Sequence, residues 1–76
     1  MEDWFAIFMH DNANTILVHR CLELEDAKKK LNSLIESYEK YPNELWIKKD
    51  FNGNSFEVHY GNKRFIRYSI CGINEL

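Results

Sequence analysis

Five side chains of the kinds that bind transition metals are spread along this chain of 76 residues: His10, His19, Cys21, His59 and Cys71. His19 and Cys21 are two positions apart, so on a strand they would point to the same face. A structural zinc site needs four ligands, usually arranged in close pairs such as CxxC. The sequence has no such pair. We therefore predict no metal site, and we interpret His19 and Cys21 as ordinary strand residues.

Nucleophilic catalysis is the second chemistry to consider. A catalytic thiol needs an imidazole within hydrogen-bond reach, and the nearness of Cys21 to His19 is too generic to indicate one. Cysteine is also a common small apolar residue in protein cores. The three glycines, at positions 53, 61 and 72, do not form a phosphate loop, a dinucleotide fingerprint or a nucleophile elbow.

Several carboxylates lie on or near one predicted helix, namely Glu23, Glu25, Asp26, Glu36 and Glu39. Acid–base catalysis needs carboxyl groups in a cleft that shifts their pKa, and nothing in the sequence implies a cleft. Their simplest interpretation is a solvated helix face. A second interpretation is that they imitate a nucleic-acid backbone and compete for a basic groove on a partner. We predict no catalytic residue, no cofactor and no enzymatic activity.

One group of residues does indicate a functional site: a predicted sheet face that is rich in aromatic and basic side chains. Asn52-Gly53 is a strong two-residue hairpin signal. It pairs Leu45 with Tyr60, Ile47 with Val58 and Lys48 with Glu57. A three-residue bulged loop over 61–63 then pairs Phe56 with Tyr68, Glu57 with Arg67 and Val58 with Ile66. One face of the three strands becomes a core of Leu45, Ile47, Phe56, Val58, Tyr60, Ile66, Tyr68 and Ile70. The candidate binding residues on the other face are Trp46, Lys48, Glu57, His59, Phe65 and Arg67.

Three interpretations of this second face remain open. Trp, Phe and Arg are common at the centres of protein interfaces. Aromatic rings with Lys and Arg also bind single-stranded nucleic acid, although Glu57 in the middle of the face would repel phosphate and the chain order is not that of an RRM domain. The third interpretation is that another layer, formed by the first two strands or by a second copy of the chain, covers the face.

The remaining elements follow from hydrophobic periodicity. Residues 3–10 read as a strand that is apolar on both faces, which favours a central strand or a strand covered on both sides. Residues 15–21 read as a second strand after a four-residue turn. This turn predicts the pairs Met9–Ile16, Phe8–Leu17, Ile7–Val18, Ala6–His19 and Trp4–Cys21. Residues 24–41 read as an amphipathic helix that ends before Pro42. The apolar stripe of this helix is Leu24, Ala27, Leu31, Leu34, Ile35 and Tyr38.

Together these elements predict an α+β domain, with a mostly antiparallel sheet in the chain order β-β-α-β-β-β and one amphipathic helix packed on one face. We expect a single domain over 1–76, with 71–76 as a short tail. A helix is about 10 Å wide and strands lie about 4.8 Å apart, so one helix covers only two or three of five strands.

The composition and net charge limit the functions that this chain can have. The formal net charge of −2 argues against general affinity for phosphate backbones. We expect no membrane segment, a cytoplasmic location and reduced thiols at Cys21 and Cys71.

The amino-acid usage also bears on the source of the protein. A high frequency of Asn, Lys, Ile and Glu is typical of proteins encoded by AT-rich genomes, including those of many phages. The sequence therefore favours a small non-enzymatic protein that docks onto another protein, such as a phage or mobile-element inhibitor or adaptor of a host enzyme or defence complex. The alternatives are a module that binds RNA or single-stranded DNA and a small structural subunit that forms homodimers.

Overall fold

One antiparallel sheet with a single helix packed on it makes up the fold. The computed structural model describes the backbone of residues 2–40, 45–60 and 64–75, and the side chains of residues 4–40, 45–60 and 64–73. The elements are β1 (Glu2–His10), β2 (Thr15–Cys21), α1 (Leu24–Glu39), β3 (Leu45–Lys49), β4 (Ser55–Tyr60) and β5 (Arg64–Glu75). The strands lie in the order β2-β1-β5-β4-β3, and every neighbouring pair is antiparallel. The predicted α+β class and chain order are confirmed, and β1 is an interior strand as expected.

Helix α1 buries the predicted apolar stripe against the sheet. Its acidic first turn, with Glu25 and Asp26, complements the positive end of the helix dipole. The helix ends at Glu39, two residues before the predicted boundary, and Pro42 lies outside the described residues. The fully buried positions are Ala27, Leu31 and Ile35, with Leu34 and Tyr38 packed at the margin of the core. Leu24, the first residue of the predicted stripe, is exposed instead, because it precedes the part of the helix that lies on the sheet.

Two stacked aromatic side chains lie at the centre of the core under this helix. Phe56 of β4 and Tyr68 of β5 have ring centroids 4.9 Å apart and an interplanar angle of 13°. The hydroxyl groups of Tyr68 and Tyr38 of α1 share a hydrogen bond of 2.7 Å. Burial raises the pKa of the Tyr68 phenol, and the hydrogen bond with Tyr38 raises it further. The bond gives the hydroxyl of the buried Tyr68 a partner within the protein, on the side chain of Tyr38 at the margin of the core.

The raised pKa of Tyr68 predicts a loss of stability in alkali. The neutral phenol is favoured in the folded state, so its contribution is complete below the ordinary tyrosine pKa of about 10 and is lost as the pH rises above it. We expect the free energy of unfolding, measured by urea denaturation, to fall more steeply between about pH 9 and about pH 11 in the wild type than in Tyr68→Phe. Equal slopes for the two proteins would contradict the assignment.

The two hairpins of the second half have the predicted registers. The pairs Leu45–Tyr60, Ile47–Val58 and Lys48–Glu57 join β3 to β4. The pairs Phe56–Tyr68, Glu57–Arg67 and Val58–Ile66 join β4 to β5. The first turn differs from expectation: the N–H of Gly53 donates to the carbonyl of Asp50 over 3.1 Å, and within this turn Gly53 is the one residue with a positive φ, of 74°. A two-residue type I′ turn would need a positive φ at Asn52 as well. The second loop, at 61–63, lies outside the described residues.

A β-bulge in the first hairpin shifts half of the predicted register. The predicted pairs Met9–Ile16 and Phe8–Leu17 are correct. Beyond them the register shifts by one residue, so Ile7 pairs with His19 instead of Val18, and the predicted partners of Ala6 and Trp4 are wrong. Without the bulge, Arg20 would point to the face that the helix covers, where an unpaired charge is costly. With it, Arg20 lies on the opposite face, and its guanidinium carbon is 4.3 Å from the ring centroid of Trp4.

The C-terminal residues are part of the sheet. Strand β5 runs to Glu75, and its second half pairs with the first half of β1, including Ala6–Cys71 and Trp4–Ile73. The predicted tail over 71–76 is therefore wrong for 71–75, and residue 76 lies outside the described residues. An interior strand such as β1 needs hydrogen-bond partners on both sides along its length, and these residues supply them.

The two cysteines are free thiols, as predicted. Cys21 pairs with Phe5 and Cys71 pairs with Ala6, which are adjacent residues of β1. Adjacent strand residues point to opposite faces, so the two sulfur atoms lie on opposite sides of the sheet. This arrangement prevents a disulfide between them without rearrangement of the strands.

Candidate binding face on the open side of the sheet

The six predicted binding residues share the face of the sheet that helix α1 leaves open. Strand pairing arranges them in two rows across β3, β4 and β5. We call Trp46, His59 and Phe65 the aromatic row. We call Lys48, Glu57 and Arg67 the charged row.

Neither of the first two strands covers these rows. Strands β1 and β2 extend the same sheet beyond β5, so the interpretation in which they form a layer over the aromatic side chains is wrong. Trp46 remains 57% exposed and Phe65 40% exposed. Single exposed apolar residues are normal on protein surfaces, but these two belong to one contiguous row.

The rings of the aromatic row stack against one another. The centroids of Trp46 and His59 are 3.8 Å apart and their planes differ by 8°. The centroids of His59 and Phe65 are 5.3 Å apart, with an angle of 21°. These separations match the spacing of about 4.8 Å between strands, so the rings stand upright on the sheet with their faces toward one another. Both faces of the His59 imidazole are covered, and the row presents ring edges to solvent.

This orientation decides what the row can bind. Proteins that recognise single-stranded nucleic acid lay bases flat on exposed ring faces. Only the outer faces of Trp46 and Phe65 are free for such stacking. A ridge of ring edges instead suits an apolar depression on another protein, where aromatic side chains commonly act as anchors.

The charged row has two cationic side chains, and the carboxylate between them already accepts a hydrogen bond. Glu57 lies between Lys48 and Arg67, but its Oε1 accepts a hydrogen bond from Nε2–H of His59 over 2.8 Å. Neither Lys48 nor Arg67 forms a salt bridge with any carboxylate of the described residues. The His59–Glu57 contact joins the two rows and orients the imidazole, while both cations remain available to an anionic group.

A groove continues the charged row toward the β3–β4 hairpin. Its volume is about 340 Å³, and its lining includes all three residues of the charged row together with Phe51 and Lys49. Phe51 is 100% exposed at the hairpin tip. Sequence reasoning missed Phe51, because the residues around it read only as a turn. A phenylalanine in a segment of otherwise polar turn residues was the available signal.

Further aromatic and polar side chains occupy the part of the open face on β1. His10 joins the two neighbouring strands: its Nδ1 lies 3.1 Å from Oγ1 of Thr15, and its Nε2 lies 3.2 Å from Oγ of Ser69. Trp4 is partly buried beneath Arg20. The ring nitrogens of His10 have partners within the sheet, whereas the Nε1–H of Trp4 is buried without a hydrogen-bond acceptor among the described residues. Both rings are less exposed than those of Trp46 and Phe65, so this half of the face is less available to a partner than the aromatic row.

Chemistry-bearing clusters are sparse in the part of the chain that the structure describes. No three side chains of His, Cys, Asp or Glu within these residues lie close enough together to hold a metal ion. The carboxylates of α1 are exposed, and Glu39 forms an ion pair of 3.4 Å with Lys49 of β3. None of the described helices is long and apolar enough to cross a membrane.

The comparisons with known proteins add no relative. The chain matches no family model, no curated protein and no solved structure at a significant level.

Proposed function

We propose that this protein is a small, non-enzymatic binding domain that docks the open face of its sheet onto another protein. The observation that carries the proposal is the aromatic row, in which an exposed indole and an exposed phenyl ring flank a covered imidazole. Because the rings brace one another, little side-chain entropy is left to lose on binding. Such a ridge is preorganised for a complementary apolar depression.

The charged row indicates which chemical groups the partner should carry. Lys48 and Arg67 lie along one side of the ridge without a salt bridge to the described carboxylates, so a partner with carboxylates beside an apolar depression would complement them. Electrostatic complementarity of this kind contributes to partner choice and to the association rate. Phe51 lies at the end of the same groove and supplies a further apolar contact.

Size and composition suggest the biological role. A domain of 76 residues that acts by occupying a surface suits an inhibitor or an adaptor. Its composition, typical of AT-rich genomes, favours a phage or another mobile element as its source. We propose a host enzyme or defence complex in the cytoplasm as the target.

Nucleic acid is the second candidate partner, because Lys48 and Arg67 could contact phosphates. A binding assay with 20-mers of oligo(dT) and oligo(rU) separates the two candidates. We expect no binding of either oligonucleotide at low salt. Low salt is the condition that favours phosphate contacts most, so the absence of binding there would exclude them.

Tight oligonucleotide binding with a steep salt dependence would overturn the proposal in favour of the nucleic-acid module. Trp46→Ala is the matched variant for this assay, since it removes the outer ring without altering charge. If the oligonucleotides stack on that ring, the variant will lose affinity for them.

A further inference from the structure

Strand β2 is an edge of the sheet whose first three residues, Thr15–Leu17, carry no protecting feature. Three consecutive apolar residues of β2 are exposed: Ile16 by 49%, Leu17 by 47% and Val18 by 37%. Strand β2 pairs with β1 on one side and with no described strand on the other. Proteins usually protect such edges with charges, proline, β-bulges or very short strands. On β2 the bulge at Val18 and the charge of Arg20 come only after Leu17. The opposite edge, β3, is only five residues long and ends in Lys48 and Lys49.

We propose that β2 pairs in antiparallel fashion with β2 of a second copy, forming a continuous sheet of ten strands. The bulge at Val18 limits the regular part of the edge to Thr15–Leu17, so we place the two-fold axis at Ile16. Ile16 then lies opposite Ile16 of the second copy on the helix side of the sheet. On the open side, Leu17 lies opposite the second copy's Thr15.

Two features of β2 favour a second copy as its occupant. The exposed residues lie on both faces of the edge, so a matching strand must itself be apolar on both faces, as β2 is. The charges at the two ends of the segment are also complementary, with Asp11 before the strand and Arg20 near its end. Antiparallel pairing brings the Asp11 end of one copy toward the Arg20 end of the other. Hydrogen bonds from the N–H groups of Ala13 and Asn14 lower the pKa of Asp11, which keeps its carboxylate ionised.

The proposed pairing has a geometric consequence for binding. A two-fold axis through an antiparallel strand pair is perpendicular to the sheet, so both open faces would lie on the same side of the dimer and both helices on the other. Seven strand spacings of about 4.8 Å separate β4 of one copy from β4 of the other, about 34 Å before twist is considered. The dimer would present two aromatic rows to one surface and gain avidity from a partner with two sites. This consequence rests on the proposed function, whereas the pairing itself does not.

Cysteine cross-linking tests the pairing directly. In a background with Cys21→Ser and Cys71→Ser, Ile16→Cys would place two thiols on the two-fold axis. Directly opposed residues have Cα atoms about 4.5–5.5 Å apart, within the range that a disulfide can bridge. We expect mild oxidation to link this variant into a covalent dimer. Phe51→Cys, on a fully exposed side chain away from β2, is the matched control and should cross-link at least about tenfold more slowly.

Solution mass provides the second readout. Sedimentation equilibrium should give twice the chain mass of 9.1 kDa for the wild type and the single-chain mass for Leu17→Lys. Trp46→Ala should remain dimeric because Trp46 is on β3, at the opposite edge of the sheet from β2. A monomeric wild type, or equal cross-linking of the Ile16→Cys and Phe51→Cys variants, would overturn the inference. A monomer that still binds its protein partner would leave the proposed function intact, and a dimer whose open face binds no protein would refute only that function.

Discussion

Replacing Leu31 with alanine should lower the free energy of unfolding by about 2–5 kcal/mol, the usual range when a large core side chain is truncated. Leu31 is 1% exposed and packs from α1 onto the buried cluster that contains Ile7, Phe56 and Tyr68. Native stability is about 0.05–0.15 kcal/mol per residue, or roughly 4–11 kcal/mol for a chain of this length. The substitution therefore removes a large share of the total, and urea denaturation monitored by circular dichroism will measure it.

Leu24→Ala provides the matched control. It makes the same chemical change in the same helix, but Leu24 is 36% exposed. We expect a loss of less than about 1 kcal/mol, because less apolar area returns to water and no closed cavity forms. A loss below about 0.5 kcal/mol for Leu31→Ala would mean that the face of α1 packed on the sheet has been assigned wrongly.

The elements that hydrophobic periodicity specifies strongly could be predicted from the sequence. The stripe of α1 repeats at helical spacing, so Ala27, Leu31 and Ile35 were identifiable as buried without any tertiary information. The registers of β3, β4 and β5 were also predictable, since the position of a hairpin turn determines every pair that follows. The structure confirms these pairs although the first turn has a different type. Register depends on the centre of the loop, and that centre is unchanged.

Two features of the first half depended on tertiary contacts that the sequence does not display. The bulge at Val18 moves Arg20 from one face of the sheet to the other, and the benefit appears only when the helix and Trp4 are in place. The end of β5 contains Gly72 and Asn74, which have low strand propensity, so it read as a tail. Its strand conformation comes from pairing with β1.

The candidate site was only partly accessible to the same reasoning. Alternation along the strands could place Trp46, His59 and Phe65 on one face. It could not give the orientation of the rings, because rotamers depend on packing between neighbouring strands. Orientation is nevertheless what distinguishes a platform for bases from a ridge for a protein partner. It was also unpredictable that β1 and β2 leave this face uncovered, since that depends on both strands joining the same sheet.

Trp46→Ala and Arg67→Ala should each weaken binding of the protein partner by more than about 1 kcal/mol, or roughly fivefold in Kd, as anchors at the centre of an interface commonly do. Trp46 supplies the outer ring of the aromatic row, and Arg67 supplies a cation without a salt bridge to the described carboxylates. Isothermal titration of the purified pair will give both values. Circular dichroism should show that both variants remain folded, because neither side chain belongs to the buried core.

Lys29→Ala on the outer face of α1 is the control for this experiment. Lys29 is exposed on the side of the helix that faces away from the sheet, so its removal should leave the affinity unchanged if the open face is the site. The reverse pattern, with a loss of affinity only for substitutions on α1, would move the site to the acidic helix. That result would favour imitation of a nucleic-acid backbone by the carboxylates there. A third pattern, in which Trp46→Ala unfolds the protein, would show that a second copy already covers this tryptophan, because within one chain its side chain is more than half exposed.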